Sequence, residues 1–97
     1  MASQWYTYFV RCNDNSLYAG VTTDLKRRVN EHNSKVLGAK YTRNKQPVSL
    51  VYFDEKDSRS DACKYEYQLK QLSKQKKESL VASFCQSTLT NALLNDE

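Results

Sequence analysis

The sequence predicts an α+β domain: a small three-stranded antiparallel sheet flanked by helices, in the order β-β-α-β-α-α. Three observations predict it. Two runs rich in aromatic and β-branched residues, Trp5 to Cys12 and Leu17 to Val21, face each other across the polar cluster Asn13-Asp14-Asn15-Ser16, the pattern of a hairpin. A third such run is Val48-Ser49-Leu50-Val51-Tyr52-Phe53. The stretches 24–34 and 59–72 repeat apolar residues at helical spacing behind a capping side chain.

The hairpin register decides where its tyrosines point. A three-residue loop with Asn15 left-handed suits Asn-Asp-Asn, because Asn tolerates that conformation. That loop sets Tyr8 opposite Gly20 and Val10 opposite Tyr18, so both tyrosines project from one face and Gly20 leaves room for a ring. A four-residue loop would put them on opposite faces. Thr23 or Asp24 caps the first helix, which runs to about Ser34. Leu25, Val29 and His32 form its apolar stripe. Arg28 lies one turn before His32 and points the same way, while Lys26, Arg27 and Glu31 face outward. Residues 35–47 form a basic connector punctuated by Gly38 and Pro47. The third strand is expected to be buried on both faces. Ser58 or Ser60 caps the second helix. Its core stripe is Ala62, Tyr65, Leu69 and Leu72; Lys64, Gln68 and Gln71 face water, and Glu66 sits at the edge of the buried face. Ser73 caps a third helix that docks through Leu80, Val81 and Phe84. The domain is expected over 1–85, with 86–97 a loose tail.

Composition narrows the function. The 97 residues are 39% hydrophobic and 27% charged, which suits a soluble domain, with cytoplasmic location as the expectation. No apolar run approaches the length of a membrane span. Cys12, Cys63 and Cys85 are far apart and odd in number, and one histidine is present, so reduced thiols are expected and a structural zinc is not. The net charge of +4 divides unevenly: residues 1–77 carry +7 and residues 78–97 carry −3. A basic domain of this size favours a polyanion as partner.

The tripeptides Tyr6-Thr7-Tyr8 and Tyr18-Ala19-Gly20, followed by Arg28, His32 and Glu66 in that order, resemble the GIY-YIG nuclease family. Within it the chain is similar to the compact stand-alone bacterial YhbQ-like group, whose Ser-Leu-Tyr-x-Gly, Arg-x-x-Glu-His-Asn and Gly-Ala-Lys-Tyr-Thr-Arg stand at Ser16–Gly20, Arg28–Asn33 and Gly38–Arg43. The resemblance covers about Trp5 to Leu80. Val21 stands where some relatives carry lysine.

The resemblance implies a metal-dependent endonuclease acting on DNA, with branched, damaged or single-stranded DNA as candidate substrates, DNA repair as a candidate setting, and a monomer or weak dimer as the active form. It implies catalytic roles for Tyr8, Tyr18, Arg28, His32 and Glu66. Glu66 would ligate one Mg²⁺ or Mn²⁺ with waters completing the shell. Arg28 would clamp a phosphate oxygen, Tyr18 would be the candidate general base, and Tyr8 would position the water or a phosphate. A free phenol has a pKa of about 10, so ionising one at pH 7 costs about 4 kcal/mol. Nearby cations reduce that cost, and His32 would take the phenolic proton. Arg27, Lys40, Tyr41, Arg43 and Lys45 would hold nucleic acid by charge and stacking. The other reading is a nucleic-acid-binding module of the same fold with little or no catalysis.

Overall fold

The computed structural model describes residues 4–34, 45–84 and Thr88. Three strands, β1 (Trp5–Arg11), β2 (Leu17–Thr22) and β3 (Ser49–Lys56), and three helices, α1 (Leu25–His32), α2 (Arg59–Gln71) and α3 (Lys74–Ser83), follow the expected order. Residues 35–44 of the expected 35–47 connector, Cys85 and all of the expected tail except Thr88 lie outside the described residues. Among the described residues no helix is long and apolar enough to cross a membrane.

Strand order is β2-β1-β3, with both pairings antiparallel. This corrects one expectation. The strand buried on both faces is β1, where Thr7, Tyr8, Phe9 and Val10 are all buried. Strand β3 lies at the edge and buries Leu50 and Tyr52. Position in the sheet decides this, because a central strand is covered on both faces by whatever packs on the sheet. A bulge between Phe9 and Val10 in the β1–β3 pairing leaves Phe9 opposite Tyr52 but Val10 opposite Leu50. The extra residue, Val51, puts Leu50 and Tyr52 into different cores. On one face Tyr8, Val10, Cys12, Leu25, Val48 and Leu50 pack together under α1. On the other, Phe9, Ala19, Tyr52 and Leu69 pack beneath α2 and α3, with Leu80, Val81 and Phe84 docked against them.

Each helix starts at the side chain that can satisfy its first amides. Asp24 accepts from the Arg27 amide at 3.0 Å, Ser58 from Asp61 at 3.1 Å and Ser73 from Lys76 at 3.2 Å. The end of α1 is held from outside the helix. Gln46 Nε2 donates to the carbonyls of His32 and Ser34 at 2.7 and 2.8 Å, and the Asn33 amide exchanges two hydrogen bonds with the Val48 backbone. These bonds fix the depth at which His32 enters the core. Arg11 makes a bidentate pair with Glu78 at 2.8 and 2.6 Å, tying the end of β1 to α3.

The hairpin has the three-residue-loop register. Tyr8 faces Gly20, Val10 faces Tyr18, and Asn15 has φ 71°. The Tyr8 ring lies directly over Gly20. A Cβ at position 20 would come within 2.6 Å of Tyr8 Cζ and closer still to its hydroxyl oxygen. Gly20 keeps an ordinary backbone conformation, so the requirement for glycine is steric. Gly20→Ala should therefore destabilise the fold by about 1–3 kcal/mol, since the ring is enclosed and must shift. Urea unfolding of the variant beside the wild type measures this, and an unchanged midpoint would contradict the close packing.

Candidate nuclease cleft

The open edge of β2 carries a cleft of about 660 Å³, lined by Trp5, Tyr8, Tyr18, Gly20, Val21, Arg28, Arg59, Cys63 and Glu66. Strand alternation explains how it straddles the sheet. Tyr18 and Gly20 project to the α1 side, whereas Val21 projects to the α2 side. Tyr8 reaches the same place from β1 because its ring extends over Gly20. Arg28 comes from α1. On α2, Arg59, Cys63 and Glu66 follow each other at intervals of four and three residues, which puts them on one stripe.

The cleft thus brings together four of the five residues expected in catalytic roles: Tyr8, Tyr18, Arg28 and Glu66. The fifth, His32, is 0% exposed and sits behind them. Its Nε2 is 2.8 Å from the Tyr8 hydroxyl, and its ring packs edge-on to Tyr18 with centroids 5.4 Å apart. The hairpin register thus brings the Tyr8 hydroxyl to the imidazole Nε2, with the Tyr18 ring packed against the same imidazole.

Glu31 also departs from expectation. It is half-buried and pairs with Arg28 at 2.9 Å and more loosely with Arg27 at 3.7 Å, because i,i+3 and i,i+4 neighbours share a helix face. Arg27 is otherwise exposed, and Lys45 pairs with Asp14 at 2.9 Å. Neither Arg27 nor Lys45 is part of the cleft lining. Lys40, Tyr41 and Arg43 lie outside the described residues. Cys12 is buried in the core, but Cys63 is exposed at the cleft. Trp5, Arg59 and Cys63 were not singled out by sequence as site residues. The signal for Arg59 and Cys63 was their helical spacing from Glu66. Trp5 had none beyond its strand.

Among the described residues Glu66 is the one carboxylate of the lining. Its side chain is 25% exposed and lies 3.3 Å from Lys70. Among the described residues no group of three or more His, Cys, Asp or Glu side chains could hold a metal ion. A single hard oxygen donor facing open space fits a hydrated Mg²⁺ or Mn²⁺, which keeps most of its waters, and does not fit zinc.

Burial sets the protonation of the Tyr8–His32 pair. It pushes the Tyr8 phenol up to about 12, with the Arg28 guanidinium beside it pulling the other way. Burial also pushes His32 down to about 4; the Arg28 charge adds to this and Glu31 opposes it. Both side chains are neutral at pH 7. Because the folded pKa of His32 lies below its ordinary 6.5, its contribution to stability is complete above pH 6.5 and is lost as pH falls towards 4. The wild type should lose about 2–3 kcal/mol more than His32→Gln between pH 7.5 and 4.5, since glutamine can bond to Tyr8 but cannot ionise. Urea unfolding of both proteins at the two pH values measures this; equal losses would show that His32 takes a proton freely in the folded state.

The chain is similar to known proteins in sequence and fold. The GIY-YIG catalytic domain matches residues 4–79. A UPF0213 protein of Desulfotalea psychrophila is 51% identical over 77 residues, spanning 79% of this chain and 70% of that one. A UPF0213 protein of Haloquadratum walsbyi is 51% identical over 75 residues, spanning 77% and 83%. Such relatives occur in both bacteria and archaea. The solution NMR structure of the UPF0213 protein BH0048 from Bacillus halodurans is similar at TM-score 0.56 and 41% identity, covering 93% of this chain and 96% of that one. With the family match spanning most of its length and the motif residues gathered at one cleft, this chain belongs to the GIY-YIG nuclease family, among the UPF0213 proteins.

Proposed function

We propose that the protein is a metal-dependent endonuclease that hydrolyses DNA phosphodiester bonds, with branched, damaged or single-stranded DNA as candidate substrates and repair as the candidate setting. One observation supports this above the others: the phenols of Tyr8 and Tyr18, the guanidinium of Arg28 and the carboxylate of Glu66, supplied by β1, β2, α1 and α2, line one cleft. Phosphodiester hydrolysis requires a positioned water, compensation for charge on the phosphoryl oxygens and help for the leaving oxygen.

Glu66 would hold one Mg²⁺ or Mn²⁺ through its carboxylate. That ion, when bound, supplies charge neutralisation at the phosphoryl group and the leaving 3′ oxygen. Arg28 presents a planar fork to a phosphate oxygen, a geometry lysine does not offer. Tyr18 stands on the cleft wall as the candidate base for the attacking water. Tyr8 remains protonated near neutrality and keeps a lone pair for that water or for a phosphate-bound water, while His32 fixes where its hydroxyl points. In this reading His32 is a positioning residue that acts through Tyr8.

A second reading, a binding module without catalysis, draws on Val21. It gives the cleft an isopropyl group at a position where some relatives carry a cation.

Nicking of supercoiled plasmid with Mg²⁺ or Mn²⁺ separates the two readings. One site per chain should give nicked circles before linear product. Glu66→Gln and Arg28→Ala should each slow nicking by about 10²–10³-fold with thermal melting little changed, the scale seen when one charge-stabilising group is removed. Cutting by Glu66→Gln at the wild-type rate would overturn the endonuclease assignment.

A further inference from the structure

The α2 side of the cleft differs in character from the α1 side. Trp5, Val21 and Cys63 give it an apolar wall, and Arg59 is its one cation among the described residues. Cross-strand geometry places Trp5 and Val21 together. Val21 pairs with Thr7, and Trp5 lies two residues before Thr7 on the same face. The Thr7 hydroxyl donates to the Ala62 carbonyl at 2.8 Å, which pins the first turns of α2 to this corner, with Arg59 and Cys63 on either side of Ala62 in sequence. Trp5 is half-buried and lines the cleft. Arg28 is already engaged by Glu31, but no described carboxylate lies within ion-pair distance of Arg59, which is exposed. Along α2, Arg59 precedes Glu66 by two turns, a rise of about 10 Å. That leaves space for the sugar and base of a nucleotide next to a phosphate held at Glu66 and Arg28.

We propose that Trp5 and Arg59 form a subsite for one unpaired nucleotide of the DNA strand being cut, with its base stacked on the indole and its phosphate on the guanidinium. A cation beside an aromatic ring is the combination that single strands recognise without regard to sequence. A base paired in a duplex has no free face for the indole, so the subsite selects frayed, flapped or single-stranded DNA. The proposal rests on the nuclease reading for the identity of the ligand, and it assigns that reading a substrate class.

The chain contains a single tryptophan, so its fluorescence reports this subsite directly. With metal chelated and no cleavage occurring, a short oligothymidylate should quench Trp5, and a blunt hairpin duplex should quench it far less. Arg59→Ala should lower the slope of log affinity against log salt by about 0.7, the value for one lost single-strand phosphate contact. With a labelled oligonucleotide followed by anisotropy, Trp5→Leu should weaken single-strand binding at least about fivefold, and Trp5→Phe, which keeps a ring, should restore most of it. Equal quenching by duplex and single strand, no quenching by either, or an unchanged salt slope in Arg59→Ala would overturn the subsite. Glu66→Gln separates this from the nuclease reading. If that variant still cuts but the quenching pattern holds, the assigned chemistry fails and the subsite stands.

Discussion

The packing of one side chain, Tyr8, organises the rest of the molecule. Its ring lies in the central strand at 1% exposure, crosses β2 at the one residue there without a side chain, and delivers its hydroxyl to His32 at 2.8 Å. The contact locks β1, β2 and α1 into one relative position. A slip of one residue in the hairpin would send the phenol to the opposite face and leave a buried imidazole nitrogen without this partner. The pair is also neutral. A tyrosinate or an imidazolium in the same place would be a desolvated charge, whose cost burial makes severe. The shifts, upward for the phenol and downward for the imidazole, express that same constraint.

Much of this was legible in the sequence because it depends on local chemistry. Asn-Asp-Asn with a left-handed Asn15 fixes the loop length, and with it the facing of Tyr8 and Tyr18. Asp24, Ser58 and Ser73 mark the helix starts, since each can satisfy an amide that the helix cannot. Features set by non-local pairing were harder to see. The apolar run 48–53 looks like a buried strand, yet it is β1 that sits between two neighbours, and a bulge at Val51 divides the side chains of β3 between two cores. Site residues divide in the same way. Tyr18, Arg28 and Glu66 stood out through their motifs, while Trp5 and Arg59 gained meaning only when the Thr7–Ala62 contact set the start of α2 against β1.

The charged groups are of two kinds. Arg11 and Glu78 lie 67 residues apart in sequence and form a bidentate pair across the fold, and that bonding pulls the Glu78 carboxyl down to about 2. Their geometry connects elements that no loop joins directly. In the cleft, by contrast, Arg28 is held by Glu31 and Glu66 by Lys70, both partners coming from the same helix and only three or four residues away. Pairs of that kind stabilise a helix by only about 0.3–0.5 kcal/mol.

That difference bears on what the cleft can bind. A guanidinium tied up in a strong tertiary pair would have to break it before meeting a phosphate, and a carboxylate so tied would resist a metal ion. Arg28 and Glu66 are paired with neighbours on their own helices, and Arg28 also lies beside the Tyr8 hydroxyl, so under the proposed function neither would have to break a bond to a distant carboxylate or cation to meet a phosphate or a hydrated cation. The buried neutral pair supplies the rigidity, and the proposed chemistry would fall to the charges paired within their own helices. Substituting Lys70 or Glu31 therefore removes a partner of a cleft charge while leaving the Tyr8–Gly20–His32 packing, which fixes the shape of the cleft, in place.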